Sequence, residues 1–152
     1  MNTEVVTIGL GYIGLPTSAL IASKSTLVLG VDIDQKVVDT INEGKIHIVE
    51  PDLDLIVSKS VNDGFFKAST TAVAADVFLI VVPTPFKGNH DPDISFVEAA
   101  TKGIIPLLKK GDLYIIESTS PIGTTEKMQN LIYQSRPELK GEIYIAYCPE
   151  RV

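Results

Sequence analysis

The chain has 152 residues, 45% of them hydrophobic, a formal net charge of −6 and one cysteine. That length suits one domain able to bury about 70% of its unfolded surface, and without a run of about 18 apolar residues or a basic leader feeding an apolar stretch, neither a membrane span nor a signal peptide is expected. The negative charge argues against nucleic acid or an anionic membrane as the main partner, and the lone Cys148, with no second cysteine to pair with, fits a reducing cytoplasm.

Short β-branched runs alternate with longer helical periodicities along the chain. The first strand is predicted at Val5–Gly9, followed by a helix over Tyr12–Ser23 in which Pro16 falls in the first turn, where a missing N–H costs little. A second strand, Leu27–Asp32, leads to helices at Gln35–Glu43 and Asp52–Asn62, the latter with Asp52 as its expected cap. Strands at Phe66–Ser69 and Val77–Pro83 follow; the second is apolar throughout, as a strand buried on both faces should be. A helix over Ser95–Leu108, a strand at Leu113–Glu117, a helix over Thr124–Gln134 and a strand at Ile143–Tyr147 complete the pattern. Strands separated by helices imply right-handed crossovers, hence an α/β doubly wound parallel sheet of the Rossmann type. Its expected strand order is 3-2-1-4-5-6, with the ligand crevice at the carboxyl ends. Residues 1–152 read as one domain, the N-terminal part of a longer protein.

The strongest motif is Gly9-Leu10-Gly11-Tyr12-Ile13-Gly14, directly after the first strand. Gly9 permits the tight strand-to-helix turn, Gly11 lets a pyrophosphate approach the backbone, and Gly14 lets the helix pack closely. The helix N-terminus adds unpaired N–H groups and partial positive charge. Asp32 closes the second strand roughly 20 residues on, where an acid accepts hydrogen bonds from ribose hydroxyls. That acid would repel a 2′-phosphate, and no Arg follows it in Asp32-Ile33-Asp34-Gln35-Lys36, so NAD is favoured over NADP.

Three more segments fall at strand ends. In Val82-Pro83-Thr84-Pro85 the prolines fix the backbone and leave Thr84 to meet the cofactor; the plainer reading is a rigid loop with a satisfied hydroxyl. In Glu117–Thr125 the hydroxyls of Thr124 or Thr125 serve as helix caps, while Thr119 at the strand tip points to the crevice. In Cys148-Pro149-Glu150-Arg151 the acid and base are candidates for catalysis and anion binding. Cys148 itself, with no base near it in sequence, reads as a partly buried structural thiol.

Gly9–Pro16, Val49–Asp54, Val82–Phe86 with Asp91-Pro92-Asp93, Glu117–Pro121, Gly123–Met128 and Ile145–Val152 together resemble the nucleotide-sugar 6-dehydrogenases. The resemblance runs from the first strand to the last residue. It implies oxidation of a UDP-sugar C6 alcohol to a carboxylate with two NAD, in polysaccharide biosynthesis, through a cysteine thiohemiacetal and thioester that is then hydrolysed. By position it assigns Tyr12, Ile13, Asp32, Thr84 and Thr125 to NAD. Thr119 would help place the cofactor and the hydrolytic water, and Glu150 would assist in activating that water. Arg151 and Val152 would begin the substrate loop. The nucleophilic cysteine and its lysine belong to a later part of the family's chain, and Cys148 does not match that cysteine. The whole enzyme is expected to be a homodimer or larger. Among UDP-N-acetylmannosamine, UDP-glucose and UDP-N-acetylglucosamine only the motif likeness, including Ile46–Leu53, ranks the first foremost. Competing readings are a β-hydroxyacid dehydrogenase, a non-catalytic NAD-sensing module and, more weakly, an S-adenosylmethionine-dependent methyltransferase.

Overall fold

The computed structural model describes residues 2–150. Six four-residue strands lie side by side in one parallel sheet: β1 (Val5–Ile8), β2 (Val28–Val31), β3 (Phe66–Ser69), β4 (Val77–Ile80), β7 (Leu113–Ile116) and β8 (Tyr144–Tyr147). Their order is β3-β2-β1-β4-β7-β8, the doubly wound arrangement that the strand–helix alternation predicts. Helices α1 (Gly14–Ala22), α2 (Gln35–Asn42) and α3 (Leu53–Asn62) supply one apolar layer, and α4 (Ser95–Ile104) with α5 (Thr124–Ser135) supplies the other.

Alternation along the strands feeds both layers. Val6, Phe78, Ile80, Tyr114 and Ile116 pack with Val97, Ile104, Met128 and Ile132 of α4 and α5. Val5, Val28, Phe66 and Leu79 pack with Leu15, Val38, Leu53 and Val57 of α1, α2 and α3. A parallel sheet buried on both faces needs such near-continuous apolar strands. At the outer flank of β3, the Asn42 side chain donates to Ala68 O at 2.9 Å and accepts from Ala68 N at 2.8 Å, pairing that edge as a neighbouring strand would.

Most strands stop short of the sequence expectation at their carboxyl ends. Val81 N still donates to Ile8 O at 2.8 Å, after which Pro83 and Pro85, without N–H groups, carry the chain out of the sheet. The first helix starts at Gly14 rather than Tyr12, because Tyr12 and Ile13 are used in the turn. Helix α4 ends at Ile104 and continues as one 3₁₀ turn to Leu107, since Pro106 has no N–H to extend the α-helical ladder. Asp52 is not a side-chain cap: it sits at φ 61° in the left-handed region, and the following Leu53 N bonds to Glu50 O at 3.3 Å. A small antiparallel hairpin, β5 (Phe86–Lys87) with β6 (Asp91–Pro92), stands exposed beyond β4.

Candidate dinucleotide and active site

Gly9 leaves β1 at φ +102°, and a Cβ there would lie 2.4 Å from Val81 O. A Cβ on Gly14 would lie 1.8 Å from Gly9 O, so the helix start is folded onto its own turn. Gly11 differs: the space its Cβ would take holds no protein atom within 4 Å. The turn is anchored from below by Leu10, which is fully buried against Gly30 of β2. Among the described residues the amides of Gly11, Tyr12 and Ile13 make no hydrogen bond. Three successive free N–H groups at the start of a helix form an anion cradle.

This turn forms one wall of a crevice of about 370 Å³. Asp32 at the tip of β2, Val81–Thr84 after β4, Glu117–Thr119 after β7 and Glu150 after β8 complete it. Asp32 accepts from Leu10 N at 3.1 Å and from Asp34 N at 3.0 Å, which orients its carboxylate while leaving lone pairs for a diol. Beside it lies a second, apolar cleft of about 410 Å³ between Ile33, Pro83, Phe96, Ala99 and Ala100, meeting the first at Gly9 and Asp32. Its walls suit a flat heteroaromatic base.

Hydroxyls tie the strand tips together. Thr84 Oγ1 donates to Thr119 O at 2.7 Å, and Ser118 Oγ donates to Val82 O at 2.7 Å. Tyr147 Oη accepts from Ser120 N at 3.1 Å, so β4, β7 and β8 hold one another in register beyond the sheet. Thr84 is thus not free as a donor, although its oxygen can still accept. Thr119 is exposed at the crevice, and its hydroxyl bonds to no described residue. Glu150 is exposed.

Among the residues assigned from sequence, Gly9, Gly11, Tyr12, Ile13, Asp32, Thr84, Thr119 and Glu150 meet in this crevice. Gly14 shapes the turn from behind. Thr125, half-buried in the first turn of α5, does not line the crevice, and its assignment rests on the resemblance alone. Arg151 and Val152 lie outside the described residues. Thr124 does not cap α5 by accepting from its amides: the N-cap is Gly123, and Thr124 Oγ1 donates to Pro121 O at 2.8 Å. Cys148 is exposed rather than partly buried, and its amide donates to Ile116 O at 2.9 Å.

Glu117 had no role in the sequence reading. Its Oε2 is buried without a hydrogen-bond partner, and loss of solvent, followed by the charge of Glu150, pushes its carboxyl above the usual range. An acid closing an apolar strand at its carboxyl end was the available signal. A wider groove of about 550 Å³ between α4 and α5 offers no comparable chemistry, its Glu98 and Lys127 being paired at 2.7 Å.

A glycine-rich turn with free amides, an acid at the neighbouring strand tip and an apolar cleft beside it define a dinucleotide-binding domain. The chain belongs, over residues 3–152, to the UDP-glucose/GDP-mannose dehydrogenase family as its NAD-binding domain, and its cofactor is NAD. It is 58% identical over 153 residues to UDP-N-acetyl-D-mannosamine dehydrogenase of Escherichia coli (strain K12), covering 95% of this chain and 36% of that protein. NDP-N-acetyl-D-galactosaminuronic acid dehydrogenase of Ralstonia nicotianae is 52% identical, with 95% and 36% covered. The native structure of the UDP-N-acetyl-mannosamine dehydrogenase from Staphylococcus aureus superposes with a TM-score of 0.89 at 41% identity, covering 98% of this chain and 37% of that one. The chain therefore spans little more than a third of the length of these relatives.

Proposed function

We propose that this chain is the NAD-binding part of a UDP-N-acetyl-D-mannosamine 6-dehydrogenase, which oxidises the sugar C6 alcohol to the carboxylate with two NAD. The observation that carries the reading is the meeting, in one crevice, of the amide cradle of Gly11–Ile13 with Thr119 and Glu150. The free amides fit a pyrophosphate, the Asp32 carboxylate fits the hydroxyls of a ribose, and the apolar cleft fits the adenine. NAD, when bound, supplies the hydride acceptor.

The chain's own residues have separate tasks. Thr84, fixed by its bond to Thr119 O, offers its oxygen to the cofactor. Thr119 presents an unengaged hydroxyl where a hydrolytic water must be held, and Glu150 takes that water's proton. Arg151 and Val152 are assigned to the first substrate contacts. The UDP-sugar is the small-molecule partner, and the whole enzyme is proposed to be a cytoplasmic homodimer or larger assembly. No helix among the described residues is long and apolar enough to cross a membrane.

The name of the Ralstonia relative favours a second reading, oxidation of another N-acetylated nucleotide sugar. The deciding experiment follows NADH formation by the full-length protein with UDP-N-acetylmannosamine, UDP-glucose and UDP-N-acetylglucosamine in parallel. Fastest turnover is expected with the first, and no NADH from any UDP-sugar would overturn the proposal. Thr119→Ala and Glu150→Gln should each lower turnover by about 10–1,000-fold with a smaller effect on NAD affinity. A variant that turns over like the parent removes that residue from the mechanism.

A further inference from the structure

Three carboxylates line the described crevice, Asp32, Glu117 and Glu150, and no cation stands among its described lining residues. They are not equivalent. Asp32 has two amide donors, from Leu10 and Asp34. Glu150 is exposed at the crevice mouth. Glu117 follows β7 at the crevice, half-buried, with Oε2 closed to solvent and without a hydrogen-bond partner among the described residues.

Among the described residues, the elements around Glu117 bring it no counter-charge. From β4 it meets Val81 and Val82, which share the crevice wall. On the β8 side lie Tyr147, engaged with Ser120, and Cys148, whose amide is spent on Ile116 O. The glycine-rich turn contributes Tyr12 and its backbone, and β2 contributes Asp32. Lys109 works at the opposite end of the sheet, where it bonds Asp76 at 3.0 Å and Asp112 at 2.5 Å. The titratable neighbour whose charge reaches Glu117 is Glu150.

A buried carboxylate oxygen without a donor is costly while ionised and inexpensive once the group is neutral. Two carboxyl groups facing one cavity also resist carrying two charges, which favours the neutral form of the buried one. We infer that Glu117 faces Glu150 across the crevice and keeps its proton, standing as a neutral acid beside the carboxyl group at the mouth where water enters. This rests on the proposed function for its use in the reaction, though not for its existence. In that use Glu117 is a positioning residue: it touches no reacting atom and, by staying neutral, brings no second charge beside the group that does. The proton stays on Glu117 throughout, and the base that receives the water's proton is Glu150.

The pair is tested on this chain by following the side-chain carboxyl ¹³C signals of Glu117 and Glu150 as a function of pH. Glu117 should titrate above the exposed glutamates, and Glu150→Gln should move its midpoint downward by removing the neighbouring charge. A Glu117 that titrates with the exposed glutamates, or that ignores Glu150→Gln, overturns the pair. The role is tested in the full-length enzyme by the pH dependence of turnover. Glu117→Gln, which mimics the protonated acid, should keep turnover within about threefold of the parent and leave the acid limb in place, whereas Glu117→Leu should lose more than tenfold. An acid limb that moves to lower pH in Glu117→Gln shows that Glu117 carries charge in the parent and overturns the role even where the ¹³C titration supports the pair. Failure of the dehydrogenase assignment itself would appear as absence of NADH from every UDP-sugar and would leave the ¹³C result untouched.

Discussion

Asp32 shows how much of a binding site a single carboxylate can organise before any ligand arrives. By accepting from Leu10 N it ties the tip of β2 to the glycine-rich turn, and by accepting from Asp34 N it holds the residue whose side chain caps α2. Asp32→Ala should weaken NAD binding by about 1.5–3 kcal/mol, the scale of a hydrogen bond to a charged group; calorimetric titration of the chain with NAD measures it. Tyr114, fully buried in the sheet, provides a second reporter. Thr101 Oγ1 donates to Val97 O at 2.7 Å and so must accept from Tyr114 Oη at 2.6 Å. Burial raises the phenol to about 12 from 10.0, so its proton is held more tightly in the folded state than in the unfolded chain. The stability this gives is complete below pH 10 and is lost as pH rises toward about 12. Urea unfolding across that window should show the decline, and Tyr114→Phe should remove this contribution while lowering stability at neutral pH through the lost hydrogen bond.

At the scale of elements, the glycines of the first turn separate folding from binding. Gly14→Ala sets a Cβ 1.8 Å from Gly9 O and should destabilise the fold by about 1–3 kcal/mol or more. A Cβ at Gly11 meets no protein atom within 4 Å, so Gly11→Val should leave thermal unfolding close to the parent's while abolishing NAD binding, because the side chain fills the pyrophosphate's place. Equal NAD affinity in the parent and Gly11→Val would put the cofactor elsewhere. The strand order and the turn were legible because β1, β2 and β4 are apolar on both faces and the glycines fall directly after β1. Less legible were features set by backbone angle or burial rather than by residue type. Asp52 and Thr124 have cap-forming side chains, yet one stands at positive φ and the other donates to a carbonyl. The hairpin of β5 and β6 has two residues per strand, too few for a period to register. Glu117 carries the same letter in the sequence whether solvated or buried, and only the packed fold distinguishes the two.

For the molecule as a whole, cofactor contacts and sugar chemistry should prove separable. The chain spans 36% of its Escherichia coli relative, and the crevice that gathers the turn, Asp32 and Thr84 lies within it. The isolated chain should therefore bind NAD and form no NADH from any UDP-sugar, while the full-length protein does both; turnover by the isolated chain would refute this division. The Asn42 side chain on Ala68 gives the sheet a sidedness of its own. Its amide occupies the donor and acceptor that an incoming strand would need, much as a charged or covered edge does in other sheets. Edge-to-edge association through β3 is thereby obstructed at its centre. Asn42 thus protects against aggregation from a position remote from the crevice, and its loss would be felt first in solubility rather than in ligand affinity.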